Sequence, residues 1–281
     1  MNERGRRFWI LAGIFTLFAL FLYGPMFAIV ALSFQGPEGG LVFPMRGLST
    51  YWFSELWKGV GVVDIWAAFG RSLRLGAIVS GLTLLICVPA ALAYRIGFRG
   101  ASLLFYTVIA SLIMPSIVVS LGIGLEFRLM DDEIREFVAN HETSAGLFTS
   151  ALGAHLTWTL PFGLLILLAA FNRFDRRYEE AARDLGASPG QTLWLVILPI
   201  IAPSLIGIAL FGFTLSWDEI ARTSQALGGR NTLPLELRGL TQTVTTPAIY
   251  ALGTMTTAVS LVVIGISLAL ITLVRRKRVR H

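Results

Sequence analysis

The chain has 281 residues, 55% of them hydrophobic and only 14% charged, with a mean hydropathy of +0.71. So little charge excludes an ordinary soluble domain, and no polar stretch is long enough to build a core of its own. The net charge of +6 does not point to nucleic acid, because the basic residues flank apolar runs instead of gathering on one soluble face.

Six apolar runs are each long enough to cross a hydrocarbon core of about 30 Å. The first, about 10–32, follows Arg4, Arg6 and Arg7. It is too long for a cleaved leader and no small-residue cleavage pattern follows it, so it reads as a retained span. Pro25 is placed to bend it. The polar segment 35–71 carries Trp52, Trp57 and Trp66, residues suited to a membrane interface. The second run, about 73–94, holds the single cysteine, Cys87, which reads as a buried, inert thiol. A short turn with Arg95 and Arg99 leads to the third run, about 103–125, with Pro115 inside.

The acidic segment 126–144 reads as a short surface helix, with Glu126 and Arg128 as interface anchors. The fourth run is about 147–171 and the fifth about 193–217, the latter containing Pro199 and Pro203. A connection rich in Gly and Thr covers 218–245. Thr246-Pro247 then caps a sixth run, about 248–274, before the basic tail RRKRVRH. Placing the N-terminus inside puts most of the 23 Lys and Arg on the inner side. The expectation is an all-α membrane protein of one domain, 1–281, with six spans and both termini inside.

The stretch between the fourth and fifth runs breaks their apolar character. Tyr178, Ala181, Ala182 and Leu185 recur at i, i+3, i+4 and i+7 and form one apolar stripe on a short helix. Glu179–Arg183 and Arg176–Glu180 are spaced to pair along it. Gly186 stands where a helix ends in a left-handed residue. In Ser188-Pro189-Gly190-Gln191, Ser188 is the expected N-cap, Pro189 the first helical residue and Gln191 the capping-box partner. The spacing predicts a helix, a sharp turn and a second helix over about 173–192. Periodicity alone leaves two readings of the stripe: a docking face for another protein, or an amphipathic helix on lipid headgroups.

Glu180-Ala181-Ala182, Gly186 and Val196-Ile197-Leu198-Pro199 resemble the EAA signature, EAA-x3-G-x9-I-x-L-P, of bacterial binding-protein-dependent ABC importer permeases. Val196 replaces the Ile. The resemblance implies a type I importer permease fold in the inner membrane, with the signature forming cytoplasmic coupling helices. Tyr178, Glu180, Ala181, Ala182, Arg183, Asp184, Leu185, Gly186, Ser188 and Pro199 would then carry contact and motion from a separate ATPase subunit. It also implies a second, non-identical permease subunit, two ATPase subunits that hold ATP and Mg²⁺, and a periplasmic solute-binding protein. No cofactor is expected in this chain.

Ser216-Trp217-Asp218-Glu219 forms a second constellation at the outer end of the fifth run. Adjacent carboxylates beside Trp217 suit a cationic ligand. Against this stand two plainer readings: Asp218 and Glu219 face water, or Asp218 pairs with Arg222. The surrounding stretch, Phe213 to Leu237, resembles the polyamine branch of the family, and opine importers share similar text. His155 and Trp158 face either a translocation cavity or a neighbouring helix. Arg74 reads as snorkelling to headgroups.

The chain has no G-x4-G-K-[ST] phosphate loop, so ATP binding by that route is not expected. His141 and His155 are too far apart for neighbouring turns of one helix, and no metal spacing is present. No carboxylate sits in the middle of a run, as a self-sufficient secondary transporter would require. A membrane-embedded enzyme would need a polar catalytic cluster at one membrane face, and none stands out.

Overall fold

The computed structural model describes residues 5–59, 64–243 and 246–279. Arg4, Thr245 and the last two residues of the basic tail, named above, lie outside them. Among the described residues the chain is almost entirely helical. The described residues group into two compact units, one from the N-terminal stretch up to Trp66 with Glu236–Val259, the other Ala67–Leu235 with the chain from Ser260 onward.

The first unit begins with α1 (Arg6–Ser33), whose side chains lie almost wholly outside protein packing. Phe15, Phe21 and Phe27 are exposed along it, a surface that suits lipid tails or a partner helix. The polar segment that follows contains a helix not foreseen from sequence, α2 (Tyr51–Lys58). Buried Gln35 organises the loop before it, accepting from the Arg46 amide at 2.7 Å and donating to Gly40 O. Trp57 and Trp66 stack at 4.1 Å, and Trp66 donates to Leu56 O at 3.1 Å. Tyr250, on the first turns of α11 (Ala248–Val279), donates its hydroxyl to Leu41 O at 2.9 Å.

The second unit is built on α3 (Ile65–Ile96), α4 (Ala101–Ile113), α5 (Ser116–Phe137), α6 (Ser150–Asn172) and α9 (Leu198–Trp217). Helix α6 is the hub and packs on α4, α5 and α9. Apolar burial adds little between helices in lipid, so close packing and hydrogen bonds hold such a bundle together. Small residues supply both. A Cβ on Gly163 would meet Cys87 Sγ at 2.8 Å and Thr83 Cγ2 at 2.9 Å, and one on Gly212 would meet the Ser80 backbone at 3.1 Å. Thr83 and Thr159 hydroxyls lie 2.7 Å apart, and Ser80 donates to Ala209 O at 2.9 Å. Cys87 is free and buried, as expected.

The third apolar run differs from a simple span. Helices α4 and α5 meet at 108°. Met114, immediately before Pro115, is extended (φ −67°, ψ 134°), the conformation a proline favours in its predecessor. Among the described residues, five helices are therefore long and apolar enough to cross a membrane, or six if the bent pair is one span. The acidic residues 131–136 belong to the last turns of α5 instead of a separate surface helix. Among them Asp131 is buried and accepts from Thr143 Oγ1 at 2.7 Å, the Ser144 amide at 2.6 Å and His141 Nε2 at 3.0 Å. That clamp fixes the loop leading into α6. The connection after α9 also contains a helix missed from sequence, α10 (Leu233–Thr243).

Candidate functional site

The elbow consists of α7 (Arg177–Asp184), the short α8 (Pro189–Thr192) and a π-helical turn, Leu193–Ile197, that runs into α9. Gly186 adopts φ +85°. Its amide donates to Arg183 O at 2.8 Å and the Ala187 amide to Ala182 O at 3.0 Å, the paired bonds of a Schellman end. Ser188 caps α8 with Pro189 next to it, and Ser188 and Gln191 complete both halves of the capping box. The amide N–H groups of all four linker residues, 185–188, are thus bonded within the elbow, which stiffens the corner.

The apolar stripe of α7 is left open. Leu185 is 90% exposed and Tyr178 56%. Ala181, Glu180, Arg183 and Asp184 are also exposed, and Ala182 is half-buried. The expected pairing along the helix is replaced by a longer one: Glu179 meets Arg95, at the end of α3, at 2.7 Å. The Arg95 guanidinium also lies over Phe171 at 4.6 Å and Phe174 at 5.1 Å, and Arg176 donates to Arg95 O at 3.4 Å. Arg95 therefore joins α3, the end of α6 and the elbow. A pair separated by 84 residues leaves no local trace in the sequence. Pro199 is exposed at the start of α9, directly after the π-turn, where the missing N–H interrupts the helical hydrogen-bond ladder.

At the other end of α9, Trp217 is 1% exposed. It stacks on Phe213 at 5.7 Å and meets Phe69 edge-on at 5.5 Å. Asp218 is the exposed C-cap residue, and loss of water on its protein side raises its carboxyl above the ordinary value. The plainer reading in which Asp218 pairs with Arg222 does not hold: the Arg222 guanidinium has other partners. Glu219 instead accepts from the Arg222 amide at 2.8 Å, while its carbonyl accepts from the Thr223 hydroxyl at 2.9 Å.

His155 is buried and bridges this turn to α6. Its Nε2 is 2.8 Å from Thr223 Oγ1 and its Nδ1 2.8 Å from Ser216 Oγ. Thr223 has already given its only proton to Glu219 O, so it accepts from His155 Nε2–H, and Ser216 donates to Nδ1. With both nitrogens held, the ring serves as a strut. Trp158 is half-buried beneath the Arg222 guanidinium, 4.7 Å from its ring centroid.

Arg222, named from sequence only as a candidate partner of Asp218, has a different role. It is fully buried, donates from Nη1 to Thr157 Oγ1 and from Nη2 to Ser111 O at 3.1 Å. Ser111 lies four residues before Pro115, so its carbonyl is the one that a residue with an N–H at 115 would have served. The signal was present in the sequence: a proline inside an apolar run leaves an acceptor that lipid cannot satisfy.

The family described as binding-protein-dependent transport system inner membrane component matches residues 84–280. The putrescine transport system permease protein PotI of Escherichia coli (strain K12) is 32% identical over 238 residues, covering 84% of this chain and 81% of that protein. The spermidine/putrescine transport system permease protein PotC of Haemophilus influenzae is 30% identical over 262 residues, covering 91% and 93%. A crystal structure of a bacterial ABC transporter involved in the import of the acidic polysaccharide alginate contains a chain of the same fold, with a TM-score of 0.62 at 17% identity, covering 95% of this chain and 97% of that one. The all-helical architecture, the elbow ahead of α9 and these matches lead to one conclusion: the chain belongs to the inner-membrane permease components of binding-protein-dependent transport systems.

Proposed function

We propose that this chain forms half of the translocation pathway of an ATP-driven importer for small amine-bearing solutes, polyamines foremost. The other half is a second, non-identical permease. Two ATPase subunits, which hold ATP and Mg²⁺, dock on the elbow from the cytoplasm, and a periplasmic binding protein delivers the solute. Both termini lie on the ATPase side, and the whole chain, 1–281, acts as one permease domain.

The observation that carries the reading is the open stripe of Tyr178, Ala181 and Leu185 on a capped, rigid corner. A contiguous apolar face on an otherwise charged, water-facing helix marks an interaction surface. The corner continues directly into α9, so force on α7 tilts α9 as a lever, and the Arg95–Glu179 pair shares that force with α3. Tyr178, Glu180, Ala181, Ala182, Arg183, Asp184 and Leu185 make the contact, Gly186 and Ser188 set the angle, and Pro199 begins the shaft.

Asp218 and Glu219 are the proposed receiving carboxylates for a cationic solute, which accords with the putrescine and spermidine named for the relatives. Trp217, Trp158 and His155 hold that turn in place in this conformation, and motion of α9 brings them to the path. The test is cross-linking. Leu185→Cys, with a thiol-reactive bridge to the ATPase subunit, is expected to give a cross-link whose yield changes with ATP; the buried Cys87 does not compete. Absence of any link from Leu185→Cys in a transport-competent complex would overturn the coupling role. Uptake kinetics unchanged in Asp218→Asn with Glu219→Gln would remove the carboxylates from the path.

A further inference from the structure

A pocket of about 340 Å³ in the second unit is lined by Arg71, Arg74 and Arg230, with no acidic residue among its lining residues. Among the described residues none of the three arginines forms an ion pair. Arg71 and Arg74 are one turn apart on α3, whereas Arg230 arrives on the connection after α9.

The walls are latched together. Arg71 Nε donates to Asn231 O at 2.7 Å, and the Leu233 amide donates to Ser72 Oγ at 2.8 Å. Gly228 is seated so tightly on the turn before α6 that a Cβ would come 2.4 Å from Ala145 O. Ser150, the first residue of α6, donates its hydroxyl to Ala226 O. The pocket is thus a fixed feature where three segments meet, and three like charges around one cavity repel unless an anion sits between them.

Its height in the membrane narrows the choice of anion. Arg74 precedes Arg95 by 21 residues on one helix, about 32 Å at 1.5 Å per residue. The hydrocarbon core is about 30 Å thick. With Arg95 at one membrane face, Arg74 is therefore at headgroup level on the other. Half-buried Leu147 and exposed Phe148 form an apolar lip beside the arginines.

We propose that this pocket binds a phosphate group, supplied by the headgroup of an anionic phospholipid. Guanidinium forks match phosphate oxygens, the pocket's height puts them level with lipid phosphates, and the apolar lip takes the start of the acyl chains. The proposal rests on α3 spanning the membrane and is independent of the elbow's docking role.

The test uses the assembled transporter in detergent. Phosphatidylglycerol is expected to raise its Tm by several degrees more than phosphatidylcholine, and native mass spectrometry should retain bound phosphatidylglycerol. Arg74→Gln with Arg230→Gln should abolish both effects. Arg71 is kept because its latch to Asn231 supports the fold. Each single substitution should lose part of the response, which serves if the double variant fails to assemble. An equal rise with millimolar inorganic phosphate, not increased further by lipid, would support the phosphate site and assign it to a soluble ion. An undiminished lipid response in the variants, or equal responses to both lipids, would overturn the proposal. So would a response confined to the periplasmic binding protein and lost in the variants, which would make the pocket a protein contact.

Discussion

Arg222 Nη2 lies 3.1 Å from the carbonyl oxygen of Ser111, the acceptor abandoned by Pro115. The guanidinium comes from a turn 107 residues after that proline and supplies the donor the ring cannot. It also stands at the C-terminal end of α4, where the helix dipole favours a positive charge. A buried arginine with no carboxylate on its guanidinium is otherwise costly. Here the polar groups at the break, Thr157 Oγ1 and the face of Trp158 receive it.

Replacing Arg222 with Met should therefore destabilise the protein by roughly 1.5–3 kcal/mol, the range for hydrogen bonds to a charged group. Thermal unfolding of the purified complex measures the loss. In a Pro115→Ala background, where residue 115 regains its N–H, the same substitution should cost less. Strict additivity of the two changes would show that Arg222 and the break are not linked.

Glu179→Gln removes the charge that ties the elbow to α3. Both side chains of the pair are largely shielded, at 12% and 15% exposure, so screening by water is limited. The expected loss lies between that of an exposed ion pair, about 1 kcal/mol, and that of a broken buried one, about 3 kcal/mol, with a fall in uptake at normal membrane insertion. Arg95→Ala should be worse, because it also strips the cation from Phe171 and Phe174. Exchanging the two residues should restore part of both losses.

Gly186→Val forces a β-branched side chain to φ +85°. The left-handed region costs about 1–2 kcal/mol for an L-residue, and a branched Cβ is at the upper end. Uptake should fall sharply while the protein still inserts. Gly190→Ala is the control. That glycine is helical and a Cβ there meets nothing within 4 Å, so the change should be neutral or mildly stabilising.

Gly163→Val tests the contact between α3 and α6. With Cys87 Sγ at 2.8 Å and Thr83 Cγ2 at 2.9 Å from the position of a Cβ, the added bulk should cost about 1–3 kcal/mol. Cys87→Ala should recover part of that Tm loss, since it removes the nearer atom.

Local features were legible in the sequence, and long-range partners were not. The Schellman end at Gly186, the capping box at Ser188 and the apolar stripe of α7 follow from neighbours within seven residues. The bend after Ile113 was half visible, since Pro115 was noted but read as lying inside a continuous span. Its angle depends on Met114 turning extended, and its survival on Arg222. Helices α2 and α10 escaped notice because each is short and mixes apolar with polar residues inside a stretch that reads as loop. His155 was left between a cavity and a neighbouring helix, and Trp217 was set beside a cationic ligand, yet the burial of both comes from Ser216, Thr223, Phe69 and Phe213. None of those partners is marked by spacing relative to both residues.

The π-turn Leu193–Ile197 sits between the corner and the shaft. A π-turn holds more than the 3.6 residues of an α-turn. Rewinding the same five residues to ordinary pitch would turn the foot around the shaft and lengthen the joint, since an α-turn rises further per residue than the wider π-turn. On the proposed coupling role, a push on the corner would be taken up first as twist in this joint.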